Sequence, residues 1–539
     1  MVRRTALSYV LVLALLLTIS SCRRGGPSWD TDISSPIFKT SFGIDNLITD
    51  SLLVKNPDST LTLTYKSNLY NFSLDSLIKI PDTTIKNTYV LPLPSYLFNC
   101  GQAITPAYPG NTTQTSYPLN GVGLKTSILH SGMMGVDIIN KVRKKIKIQY
   151  QIPSATLNGV PFNTETWVDG RTGNVPGHTH VDYDLSGYTI DMTGPNHNSI
   201  NTVLTTINAW IDPTCSDTVY VTNNDPLVIS TNFKQMVPEY AKGYFGQTVQ
   251  NVGPSENNFP LFSKISSGSL LLQSVQLEFH VENGIGADAR VIIPDIYSRN
   301  SRTGSTIHLT APIINNPINL NRATETFSIP PEVPSVYSVT LNNTNSNIRN
   351  LVQNLPDKIG YKMGIYPNPM GNVSGFNDFI YYGYGIKAGL DLTIPLSLVA
   401  NNLTLADTVP VNFDQSASNI ERLHHCLLTL YASNGFPFTA NIQLYTLDKN
   451  NTVTDSLIGT SNLIDQAPLD ANLKAIDQRQ TILEIPVGAS KINDLVHAKK
   501  ILIIARFNTG AKPNYIKIYN DYRIDFRLSG DFNYTIKLH

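Results

Sequence analysis

From Val275 to Glu282 the chain alternates without a break: Val275, Leu277, Phe279 and Val281 are apolar, and Gln276, Glu278, His280 and Glu282 are polar. Successive side chains of a β-strand point to opposite faces, so this pattern gives one buried and one wetted face. The same period sets Leu61, Leu63 and Tyr65 against Thr60, Thr62 and Thr64, and it returns in Ile146, Ile148 and Tyr150. The acidic residues agree. Glu appears nine times, first at Glu165, while Asp supplies the other 31 of 40 acids, alongside 33 Pro and 34 Gly. Glu favours helices, whereas Asp, Gly and Pro favour turns, so the body reads as all-β. Short helices are expected only at Ile348–Leu355, stopped by Pro356, at Ile492–Lys499, and at Phe233–Ala241.

The N-terminus has a different texture. Arg3 and Arg4 precede an apolar run from Ala6 to Leu17, and Ile19-Ser20-Ser21 lead into Cys22. A charged start, a short apolar core and small residues before a cut form a secretion signal, and the run is too short to span a bilayer. Small residues directly before a cysteine resemble the bacterial lipoprotein signal, which implies lipidation of Cys22. Two or more acyl chains hold a protein stably on a membrane where one does not. Residues 1–21 are thus read as a signal peptide and 22–35 as a tether. Arg23 and Arg24 stand at headgroup level, either near anionic lipid or simply solvated.

Three Asn-Gly pairs organise the rest. Asn158-Gly159, Asn283-Gly284 and Asn434-Gly435 each follow a strand-like run, and Asn-Gly suits the positive backbone angles of a tight hairpin. LEFHVENGIGADARVII and TLYASNGFPFTANIQL share the strand, the turn and an Ala six residues beyond the Asn. We therefore expect a multi-module antiparallel β-sandwich architecture, divided into an N-terminal β region (36–255), a middle module (256–410) and a C-terminal module (411–539). The looser third copy is placed near Asn158. Residues 99–125 read as a long loop and the basic cluster Lys141–Lys147 as a solvated strand edge.

Charge and cysteine count exclude some classes. With 40 basic and 40 acidic residues there is no basic excess for a nucleic acid. Besides Cys22 there are Cys100, Cys215 and Cys426, and buried thiols without a disulfide are the expectation. No GxSxG elbow, P-loop, HExxH or phosphate-cradling GxGxxG occurs, and no cofactor is called for. One row invites a metal reading: on a strand, His178, His180, Asp182 and Asp184 share a face, and two imidazoles with a carboxylate can serve zinc. The plainer reading is a wet strand face. His424-His425-Cys426 is weaker, because alternation splits the two histidines. In FIYYGYGI, Phe379 and Tyr381 share one face and Tyr382 and Tyr384 the other, giving a candidate aromatic surface for sugar rings or a partner's backbone.

WDTDISSPIFKTSFGIDNL, VPEYAKGYFGQ, NSNIRNLVQNLPDKI with NPMGN, and the NGFPF segment together resemble a group of large outer-membrane lipoproteins of Bacteroidota. That resemblance implies an outer-membrane location but carries no catalytic motif. Lipoproteins sent to the cell surface in that phylum often bear acids just after the lipidated cysteine. Here Arg23 and Arg24 follow it, so both faces of the membrane stay open. The expected function is a non-catalytic scaffold or accessory subunit for envelope proteins, with glycan capture and then metal-assisted hydrolysis as alternatives.

Overall fold

The computed structural model describes residues 28–537 apart from 45–49, 74–80, 105–111, 327, 414–422, 460–461 and 511–513. The signal, Cys22, Arg23 and Arg24 lie outside the described residues. The chain is 62% strand and 4% helix, as the alternation and the turn-rich composition require.

Three long strands come first, β1 (Ser28–Gly43), β2 (Leu61–Ser73) and β3 (Thr83–Tyr89), with the short strand Leu53–Lys55 paired to β2. Three runs of matching order follow. The first holds β4 (Thr112–Ser116), β5 (Gly123–Asn140), β6 (Ile146–Leu157), β7 (Val160–Val168), β8 (Gly177–Asp184), β9 (Thr202–Ile211) and β10 (Leu227–Tyr244). The second holds β11 (Gln250–Asn258), β12 (Gln276–Asn283), β13 (Ala289–Asn300), β14 (Ile318–Leu320), β15 (Ser335–Asn342), α1 (Ile348–Gln353), β16 (Lys358–Pro367) and β17 (Gly385–Pro395). The third holds β18 (Ser397–Pro410), β19 (Leu423–Asn434), β20 (Phe438–Leu447), β21 (Leu463–Ile464), β22 (Arg479–Val487), α2 (Ala489–His497), β23 (Lys500–Thr509) and β24 (Arg523–Lys537).

Each run pairs into two antiparallel layers by one scheme, and in the first module Thr189–Asp191 pairs with both β5 and β6 and so joins its two layers into one curled ten-stranded sheet. The front sheets are β3-β10-β5-β8, β2-β17-β12-β15 and β1-β24-β19-β22. The back sheets are β4-β9-β6-β7, β11-β16-β13-β14 and β18-β23-β20-β21. In the third module Phe42 of β1 faces Phe436, Phe438 and Phe507 across the space between sheets. Leu63 is fully buried and Leu61 nearly so, as their alternation with threonine predicts. Strand pairing crosses the sequence boundaries at 255/256 and 410/411, because β1, β2 and β3 close the third, second and first modules in reverse chain order.

Three buried asparagines make the module corners. Asn140, Asn283 and Asn434 are completely buried where the chain leaves the front sheet for the back one. Asn283 Nδ2 donates to Ala287 O (2.9 Å) and Asn321 O (2.8 Å), and its Oδ1 accepts the Ile285 N–H. Asn434 repeats this with Phe438 O, Asp465 O and the Phe436 N–H. Asn140 repeats it with Lys144 O, Asp169 O and the Val142 N–H. One further bond matches in all three: Arg171, Ala323 and Ala467 each donate their N–H to the carbonyl two residues past the corner Asn. A buried amide that leaves no polar atom unpaired fixes one chain path, and three copies of it mark one repeated unit.

This corrects the hairpin reading. Only Asn158-Gly159 has positive φ at both residues and joins paired neighbours, β6 and β7. Asn283 and Asn434 join strands of different sheets, and the third copy of that corner is Asn140, followed by Lys141 instead of Gly. Lys147 accordingly sits on β6, with β7 and β9 on either side of it, rather than on an edge. The expected loop at 99–125 contains β4. Helices α1 and α2 appear near their expected places, but Phe233–Ala241 belongs to β10, where buried Phe233 and Ala241 and pairing with β5 outweigh its local helical texture.

A disulfide joins Cys100 to Cys215, against the expectation of free thiols. Strand Ser95–Phe98 pairs antiparallel with Val219–Thr222, and that register brings the two cysteines just outside it together. Cys426 is free and buried. Among the described residues no helix is long and apolar enough to cross a membrane.

Candidate functional site

The first module carries polar rows on both outer faces. On the front sheet, β8 is a regular strand whose odd and even residues alternate in exposure, so His178, His180, Asp182 and Asp184 do share the wet face. Their neighbour on β5 is Asp137. His178 Nε2 lies 3.3 Å and His180 Nδ1 2.9 Å from Asp137 Oδ1, while Asn232 Nδ2 donates to Asp137 Oδ2. His180 Nε2 is 3.2 Å from Asp182 Oδ1. The hydrogen bonds to Asp137 and Asp182 raise the pKa of His180. Burial works against ionisation of Asp137, but the bonds from His180 and His178 outweigh it and hold its carboxyl below the usual range. Asp184 stands apart, capping Ser186 through its backbone N–H and hydroxyl.

Both nitrogens of His180 therefore face carboxylates. Among the described residues no group of three or more His, Cys, Asp or Glu side chains is arranged to hold a metal ion. Gly135 gives the row its room: a Cβ there would come within 3.2 Å of the His180 ring. In the third module Cys426 is buried and His425 exposed on β19. The side chain of His424 lies outside the described residues.

The aromatic pair Phe379 and Tyr381 is not an open surface. Phe379 is buried against Gly286, where even a methyl group would collide with its ring. Strand Asp378–Tyr381 pairs with β10, so it seals the second module to the first. There Tyr381 and Tyr240 both donate to Glu325 Oε1 at 2.9 Å, with Lys242 at 3.8 Å from Glu325 Oε2. Burial, then the bond to Glu325, pushes the Tyr381 hydroxyl up to about 12. Tyr382 is exposed but stacks on the His130 ring at 4.3 Å.

The back sheet of the first module presents what the sequence reading missed. Register places nine outward residues in a three-by-three patch: Trp167, Lys147 and Trp210, then Glu165, Gln149 and Asn208, then Asn163, Gln151 and Thr206. Trp167 is 43% exposed and Trp210 half-buried. Lys145 Nζ stands 5.6 Å from the Trp167 ring and Lys147 Nζ 5.0 Å from the Trp210 ring. Lys147 also pairs with Glu165 at 3.3 Å, which cancels charge at the centre. Asn208 donates to Gln149 Oε1 at 3.1 Å. Neither Gln151 nor Asn163 has a side-chain hydrogen-bond partner among the described residues. Trp167 and Trp210 are 43 residues apart in sequence, so only strand register could join them.

Between the two layers of the first module lies an apolar gap lined by Leu129, Ile152, Val203, Phe233 and Met236. Tyr117 and Ser127 also line it, and neither hydroxyl has a hydrogen-bond partner among the described residues. Burial raises the pKa of the Tyr117 phenol well above its ordinary value.

No protein-family model matches the chain, and no curated protein matches it significantly. Among solved structures it is similar to a protein from Parabacteroides distasonis described as secreted, at 9% identity and a TM-score of 0.27, over 93% of this chain and 99% of that one. It is similar also to the tandem CBM22-1–CBM22-2 domain of Xyn10C from Paenibacillus barcinonensis, at 8% identity and a TM-score of 0.13, over 66% and 98%. A third likeness, to a structure of infectious bursal disease virus, has 10% identity and a TM-score of 0.12 over 93% and 88%. At these scores none of the three bears on function.

Proposed function

We propose that this chain is a lipid-anchored protein of the bacterial outer membrane that works without catalysis, as a scaffold or accessory subunit for other envelope proteins. The observation that carries the reading is the pairing of β1 with β24, from Ser28↔Lys537 to Gly43↔Arg523. Ser28 is six residues past Cys22, a reach of at most about 20 Å. Lipid on Cys22 would hold the third module close to the bilayer. From there Ser267–Leu272 pairs with β18 to link the third module to the second, and Asp378–Tyr381 pairs with β10 to link the second to the first. A fixed base that carries two further modules suits presentation of surfaces to partners better than diffusion to a substrate. The row on β8 supports the non-catalytic part, since its best base, His180, is tied at both nitrogens.

Replacing Cys22 with Ala tests the anchor. The variant is expected to leave the membrane fraction and to take up no labelled fatty acid. A variant that still labels and still sediments with membranes refutes the reading. Cross-linking in intact cells, followed by recovery of the wild-type chain in detergent, is expected to return a fixed envelope protein.

A further inference from the structure

We infer that the back face of the first module is a binding site for a neutral polysaccharide, gripped by Trp167 and Trp210 and read by the amides between and beyond them. This goes beyond the anchor and scaffold reading and does not depend on it. The argument begins with shape. Trp167 and Trp210 are two strands apart, with β6 between them, so their backbones stand about 10 Å from each other on one sheet. Two indoles on a sheet at that separation make a flat bed for consecutive sugar rings, whose axial C–H faces are apolar and whose rims carry hydroxyls. Indole supplies broad apolar area at low entropic cost.

The polar composition points the same way. Below the tryptophans the patch offers Gln149, Asn208, Gln151 and Asn163, and an amide both donates and accepts, as a sugar hydroxyl does. Gln151 and Asn163 have hydrogen-bonding capacity left over. No aliphatic side chain stands among the nine residues, whereas the centre of a protein interface is apolar and depleted in charge. Charge selects the glycan class: Lys147 is neutralised by Glu165, so nothing in the patch calls for an anionic polymer. Lys145 over Trp167 is an exposed cation–π partner, held weakly enough for a stacking sugar to displace, while Lys147 over Trp210 is half-buried and held by Glu165.

Native affinity electrophoresis of the full mature chain in detergent tests this, with soluble glucan, xylan, mannan and galactan as separate probes. At least one probe should retard the protein. Trp167→Ala and Trp210→Ala should each weaken retardation by about tenfold, and the double variant should lose it. Trp29→Ala lies on β1 of another module and should change nothing. The double Phe variant keeps two rings and should retain part of the binding, which separates lost stacking from lost folding. Retardation should persist in about 0.5 M NaCl, because the contacts are not ionic. The inference is overturned if none of the four polymers retards the protein. It is equally overturned if the double Ala variant binds as well as wild type, or if the only ligand the patch takes is a protein.

Discussion

Replacing Asn434 with Ala should cost the protein about 3–5 kcal/mol. The amide is fully buried and serves three main-chain groups: the Phe438 and Asp465 carbonyls and the Phe436 N–H. Removing it strands all three away from water, and each orphaned buried group costs roughly 1–3 kcal/mol, with carbonyls at the low end. Urea denaturation of the mature chain, followed by fluorescence and circular dichroism together, reads the loss as a fall in midpoint. The same substitution at Asn140 or Asn283 should cost a similar amount, because each makes the same three bonds. Asn434→Asp should be worse at neutral pH, since a carboxylate would face two carbonyl oxygens without a cation. Its folded-state pKa would be raised, so the variant should regain stability as pH falls toward the ordinary carboxyl range near about 4, where the acid can donate one bond. Asn158 is the control: exposed, at φ +52° in a hairpin, it should lose only about 1 kcal/mol on change to Ala. If Asn434→Ala costs no more than Asn158→Ala, the corner amides do not hold the modules and the reasoning fails.

Two further outcomes are expected. Replacing Cys100 and Cys215 with Ser should lower stability by about 2–4 kcal/mol, and a reductant should destabilise the wild type but not the variant. A fragment from residue 411 to 539 lacks β1 and β18, the outer strands of both third-module sheets, and should give an undispersed amide spectrum. Adding β1 and β18 back through flexible linkers should restore dispersion, and a fragment that folds unaided would show that the borrowed strands are ornamental.

Period-two patterning made the strands legible because burial of one face is a local property of the sequence. The corners were only half legible. Asn283-Gly284 and Asn434-Gly435 look like hairpin turns, yet neither glycine has a positive φ there, and what fixes the path is a bond to Asn321 O or Asp465 O in a later segment. Asn140 was invisible as their equivalent because Lys141 follows it. The row on β8 was read correctly as one face, but Asp137, which binds both histidines, comes from a strand some forty residues earlier. Phe379 and Tyr381 looked like a platform because tyrosines serve surfaces and cores alike; Gly286 and Glu325 decide for the interior. The tryptophan patch was the reverse case, a surface assembled entirely by register.

The reversed closure of the modules has a consequence for how such a chain comes to be folded. β1, β2 and β3 are synthesised first, but β3 must wait for β10, β2 for β17 and β1 for β24. The last of these spans nearly the whole chain: the Thr535 hydroxyl donates to Asp30 across 505 residues. Contacts at such separation form slowly, and open strand edges invite wrong partners meanwhile. All strands of the first module lie between residues 83 and 244, so it is expected to close without the third, whose closure needs both ends of the chain. β1, which begins six residues past Cys22, is the last of the three to find its partner. A chain cut short anywhere before residue 523 leaves β1 without its partner, which ties integrity at the proposed anchor to completion of the C-terminus.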